Sequence, residues 1–180
     1  MATADRSKRS VDHKRARRRT RVGLALAIVA VAATVVGYFA YRAAADLPGI
    51  RFPDQGNRHL ASATDPHPPY NSEPPTSGPH LPYVAPWGIH TRAITPQLQV
   101  HNLEDGGVLV QYGCECPELV ERLAGVVRRY DRFVILAPFP TMKSRIALTA
   151  WTRLDTLEEF DEARIVRFIE AYRGIDHHRR

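Results

Sequence analysis

The side chains of this 180-residue chain best suited to bind a metal or do redox chemistry are its histidines and its two cysteines. His80 closes the run Ser77-Gly78-Pro79-His80, and His101 opens the run His101-Asn102-Leu103-Glu104-Asp105. Cys114-Glu115-Cys116 follows soon after, and Met142 lies beyond Pro140. Imidazole, thiolate and thioether together suit Cu(I), whereas His with Cys also suits zinc. A helical turn over 101–105 would put His101 and Asp105 on one face, within reach of one ion. The expected ligand set is therefore His80, His101, Asp105, Cys114, Cys116 and Met142, holding copper or zinc. The plainer reading of His80 and His101 is that each fixes a turn or loop, and of Met142 that it fills a gap in the core. His59, His67 and His90 have no ligand-like spacing, and His177 and His178 fall in a basic tail expected to fray.

Two other kinds of function compete. Cys114-Glu115-Cys116-Pro117 sits where a strand gives way to a helix, and helix N-termini lower thiol pKa values, so a thiol redox role is one alternative. A pair that packs, or oxidises to stiffen the turn, is the simpler account in an oxidising compartment. The second alternative is an envelope protein-interaction module that docks a partner without chemistry. Hydrolase signatures are missing: there is no G-x-S-x-G, H-E-x-x-H, G-x-x-x-x-G-K or Asp-rich calcium loop. Glu104 and Asp105, adjacent acids before Gly106-Gly107, read as a solvated turn rather than an acid/base pair. No catalytic residue and no small-molecule substrate is identified.

These residues must be positioned by a small α+β domain. Val108 to Tyr112, Phe133 to Ala137 and Ile146 to Trp151 are short β-rich runs. Pro117 suits the first position of a helix whose apolar face is Leu119, Val120, Leu123, Val126, Val127 and Tyr130. A closing helix buries Ile165, Phe168, Ile169 and Tyr172 and stops at Gly174; Thr156 with Glu159 offers a capping box, with Asp161 as the rival cap. The order strand-helix-strand-strand-helix predicts a small mixed sheet with helices on one face. Eleven of the 14 prolines lie between residues 43 and 100, where no helical periodicity is evident. Tyr70, Tyr83 and Trp87 among them predict an ordered wrap over an edge or the other face of the sheet.

Charge and hydropathy set the surroundings. Residues 1–21 hold nine Lys/Arg against two Asp, a surplus of +7 that exceeds the whole chain's net +6, so the positive charge sits in one tail and nucleic acid is not an expected partner. Val22 to Tyr41 then runs uncharged, and as a helix it would rise about 30 Å, enough to span a bilayer. Arginines crowd its N-terminal side, which predicts a cytoplasmic N-terminus and an extracytoplasmic C-terminal domain. A run of this length favours an uncleaved signal-anchor over a signal peptide. The expected organisation is a basic cytoplasmic tail (1–21), an anchor (22–41), a linker (42–66), a globular domain (67–174) and a basic C-terminal tail (175–180). The bilayer and an envelope protein are the expected partners.

Three segments carry a family resemblance: Tyr70-Asn71-Ser72-Glu73-Pro74-Pro75-Thr76-Ser77-Gly78-Pro79-His80, Val100-His101-Asn102-Leu103-Glu104-Asp105-Gly106-Gly107, and Ala137-Pro138-Phe139-Pro140. Together they resemble the bacterial family named domain of unknown function 3105, over roughly His67 to Arg173. The resemblance implies a membrane-attached or secreted domain without an assigned reaction. The family's second motif commonly ends His-Asn-Leu-Glu-His-Gly-Gly, so Asp105 stands where a second histidine would be. A carboxylate there hardens the ligand set, away from copper and toward zinc or no metal.

Overall fold

A computed structural model describes residues 22–42 and 47–178. The chain divides into two compact units, one ending at Leu47 and one beginning at Pro48. In the first, helix α1 spans Val22–Arg42, one residue past the expected end, and none of its apolar window is buried. By length and composition it fits a membrane anchor or a signal sequence. The basic tail over 1–21, on which the expected orientation rests, lies outside the described residues, as do 43–46 and 179–180.

The second unit is built on a six-stranded sheet of order β1-β6-β5-β3-β4-β2. Its elements are β1 (Ile50–Arg51), β2 (Gly88–Ile89), α2 (Pro96–Glu104), β3 (Val108–Tyr112), α3 (Pro117–Val127), β4 (Val134–Pro138), β5 (Ile146–Ala150), β6 (Arg153–Leu157) and α4 (Glu162–Tyr172). β3 and β4 pair in parallel, joined through α3, while β5 runs antiparallel to β3 and to β6. The mixed α+β architecture agrees with the sequence expectation, with β1, β2, β6 and α2 added.

Alternation along the strands sorts two cores. Val108 and Val110 of β3 face α3 and α4, packing with Leu123, Val127, Phe168 and Ile169. Leu109 points the other way and meets Val100 and Leu103 of α2, together with Ala85, Ile94 and Trp87 of the proline-rich wrap. The wrap therefore covers the second face of the sheet, and α3 and α4 cover the first. α4 begins at Asp161, whose side chain accepts from the Arg164 amide; Thr156, half of the expected capping box, is instead in β6.

Two boundaries differ from expectation. Residues 48–66 are not a bare spacer: β1 pairs with β6, Leu60 is buried, and the Tyr172 hydroxyl donates to the Pro48 carbonyl at 2.6 Å. α2 went unforeseen because four of its six buried residues, Gln99, His101, Asn102 and Glu104, are polar, which leaves only Val100 and Leu103 as buried apolar positions.

Phe168 is fully buried under β3 and β5. Phe168→Ala should lower stability by about 3–5 kcal/mol, read as a lower urea midpoint of the full chain in detergent.

Candidate metal centre

The site is assembled from three stretches of backbone. Residues 56–60 and 78–80 run side by side in parallel: the Gly78 amide donates to Gly56, the His80 amide to Arg58 and the Leu60 amide to His80, at 2.7–3.0 Å. That pairing sets His59 beside His80, with ring centroids 5.0 Å apart. Tyr70 steadies the turn by donating its hydroxyl to the Pro79 carbonyl at 2.7 Å, and burial pushes its phenol up to about 12, which keeps it a donor.

The third stretch is the last turn of α2. Asn102 fastens this helix to the wrap, accepting from the Ala85 amide and donating to the Ala85 carbonyl at 2.8 and 2.9 Å. Gln99 donates to the Ile94 carbonyl and accepts from Gln111 of β3, anchoring the other end of the helix. So held, the helix projects His101 and Glu104 toward His80, whose ring centroid lies 5.1 Å from that of His101.

Glu104 is the hub, and it is fully buried. Its Oε1 accepts from the Asn57 side-chain Nδ2 at 2.7 Å. Its Oε2 lies 2.9 Å from His80 Nε2 and 3.9 Å from both His59 Nε2 and His101 Nδ1. Ligands of a four-coordinate zinc ion, at about 2.0–2.2 Å from the metal, stand about 3.3–3.6 Å apart, and the observed separations straddle that value. One donor atom from each of His59, His80, His101 and Glu104 lies within 4.8 Å of the others.

Two further features bear on what these atoms could hold. His80 Nδ1 lies 2.7 Å from the Gly78 carbonyl, so Nδ1 carries the proton and donates. This leaves the Nε2 lone pair facing a carboxylate oxygen, an arrangement that needs a proton or a cation between the two. His101 Nδ1 is buried with no hydrogen-bond partner, which is costly for a polar atom unless something else engages it. Burial also pushes the His101 imidazole below its usual range against the pull of Asp105, favouring the neutral form that metals bind.

Of the residues expected from sequence, His80 and His101 come together here, and Asp105 lies at the rim, its Oδ1 3.8 Å from His101 Nε2. Cys114 and Cys116 are joined in a disulfide that packs beside the α3 core. Met142 is buried among Phe139, Ala147 and Leu154. Neither the cysteines nor Met142 shares a donor group with the histidines. Sequence reasoning passed over His59, Glu104 and the tail histidines. Glu104 is buried rather than in a solvated turn, and residues 175–178 are folded back: the His177 amide donates to the Glu104 carbonyl at 2.8 Å, and the His177 ring stacks on Trp151. The available signal was local, since Glu104 follows His101 at the i,i+3 spacing that places two side chains together on a helix.

Residues 63–179 match the family described as Protein of unknown function (DUF3105). The chain belongs to that family. The matched stretch contains His80, His101, Glu104 and His178, while His59 lies just before it. No curated protein and no solved structure matches the chain.

Asn102→Ala would strand the buried amide and carbonyl of Ala85, and should cost about 2 kcal/mol or more. Faster hydrogen exchange at the Ala85 amide is the measurement that locates the loss on the contact between wrap and helix.

Proposed function

We propose that this is a membrane-tethered, extracytoplasmic domain that binds a divalent transition metal, with His59, His80, His101 and Glu104 as the ligands. The observation that carries the reading is the buried Glu104 carboxyl surrounded by imidazole nitrogens, one of which, His101 Nδ1, has no partner within the protein. Three imidazoles and one carboxylate are borderline-to-hard donors of the kind zinc prefers. Cu(II) would also bind such a set, whereas Cu(I), which seeks sulfur, finds none among these four residues. This narrows the copper-or-zinc expectation to a divalent ion and leaves Cys114, Cys116 and Met142 outside the ligand set.

The location rests on separate observations. α1 has the length and composition of a bilayer span, and the arginines before it favour a cytoplasmic N-terminus. A Cys114–Cys116 disulfide is the form expected in an oxidising compartment.

The test is retention of zinc by the full chain, purified in detergent with any affinity tag removed, stripped with chelator, reloaded and dialysed. Wild type should keep ion through dialysis and, at 100-fold excess of free zinc over Kd, gain about 2.7 kcal/mol of stability. His80→Ala and Glu104→Gln should weaken zinc by more than the roughly 10–100-fold typical of outer-shell changes. Cys114→Ser/Cys116→Ser and Met142→Leu should leave the affinity unchanged. A wild-type chain that holds no zinc, copper, cobalt or nickel after dialysis would end this reading.

A further inference from the structure

We propose a second metal site beside the first, formed by His101 Nε2, Asp105 Oδ1 and His178 Nε2, with the His101 ring bridging the two ions. The inference rests on the metal-binding reading above and deepens it.

The geometry begins with the His101 ring, which has a candidate ion site at each end. Nδ1 turns toward Glu104, 3.9 Å from Oε2, and Nε2 turns toward Asp105, 3.8 Å from Oδ1. Both separations are too long for hydrogen bonds and both suit two ligands of a common ion. Asp105 follows His101 by one turn of α2, and its backbone amide donates to the His101 carbonyl at 3.0 Å, which holds the two side chains on one face.

The third donor comes from the C-terminal segment, whose path over the site is fixed. The Gly174 amide donates to the Gly106 carbonyl at 2.7 Å. Gly106 has φ +84°, and a Cβ there would lie 2.7 Å from the Ile175 nitrogen, so only glycine lets the segment cross. The chain then turns at Asp176, whose carboxylate accepts from both the His178 amide and His178 Nδ1, at 2.9 and 2.7 Å. With Nδ1 donating to Asp176, Nε2 is the ring nitrogen left to take an ion in place of a proton, and that atom lies 3.6 Å from Asp105 Oδ1 and 3.4 Å from Glu104 Oε2. A carboxylate that fixes the tautomer of a histidine and leaves the other nitrogen bare is the usual outer support of a metal ligand. The three donor atoms lie within 4.8 Å of one another.

A neutral imidazole has one lone pair, so His101 can bridge only by losing its remaining N–H proton. Binding of the second ion therefore releases one proton to solvent, and the imidazolate formed donates a lone pair to each metal. Ions joined in this way are magnetically coupled, which separates a bridge from two independent sites.

Cobalt(II) titration of the stripped full chain in detergent, followed by absorbance and magnetic susceptibility, tests the bridge. Wild type should take up two equivalents, with a moment per cobalt that falls as the second binds. In Asp105→Ala and His178→Gln, both changes of partly exposed side chains, the second equivalent should bind about tenfold more weakly or worse, with the first retained and uncoupled. A single equivalent weakened by His178→Gln would make His178 a ligand of one ion and overturn the second site alone. Two equivalents that persist in both variants, or that show no coupling, would overturn it as well. No cobalt bound at all would bring down the first site with it.

Discussion

A carboxyl group removed from water sets the terms for this fold. Glu104 has no solvent exposure, and burying such a group without compensation costs several kcal/mol. The compensation reaches it from well separated parts of the sequence: Asn57 and His59 from before the wrap, His80 from within it, His101 from its own helix and His178 from after α4. The wrap, the unforeseen helix and the folded tail can each be understood as delivering one of these groups. The sheet and its α3–α4 layer supply the apolar burial that makes such delivery affordable.

The two faces of the sheet divide the labour. On one side Val108, Val110, Phe168 and Ile169 form an ordinary apolar core, closed by two amphipathic helices. On the other, apolar packing is interleaved with buried amides. Asn102 fastens the helix to the wrap, and Gln99 with Gln111 fastens it to β3. Directional bonds of this kind fix side-chain positions more tightly than apolar contact alone, which is what a ligand cluster requires.

The same division explains what was legible in the sequence. β3, β4 and β5 and helices α3 and α4 showed themselves because strand alternation and helical apolar stripes report burial in an apolar core. α2 did not, because Gln99, His101, Asn102 and Glu104 are buried on it beside only two apolar residues, Val100 and Leu103, a pattern that reads as solvated when the partners are unknown. His80 and His101 stood out through their motifs, but His59 could join them only through the parallel pairing of residues 56–60 with 78–80, which bridges His59 to His80 far along the chain with no local signature. His178 was discounted because a basic tail usually frays; the crossing over Gly106 that pins it depends on tertiary contact. Cys114, Cys116 and Met142 drew attention by residue type, and residue type says nothing of where a side chain ends up.

The span of the donors along the chain bears on when the site can exist. The first proposed donor lies at residue 59 and the last at residue 178, so both groups are complete only when the two ends of the domain have folded together. On the metal-binding reading proposed above, the full set of donors exists only once the tail has folded over α2, so the place of folding shares with the ligand set in selecting the ion.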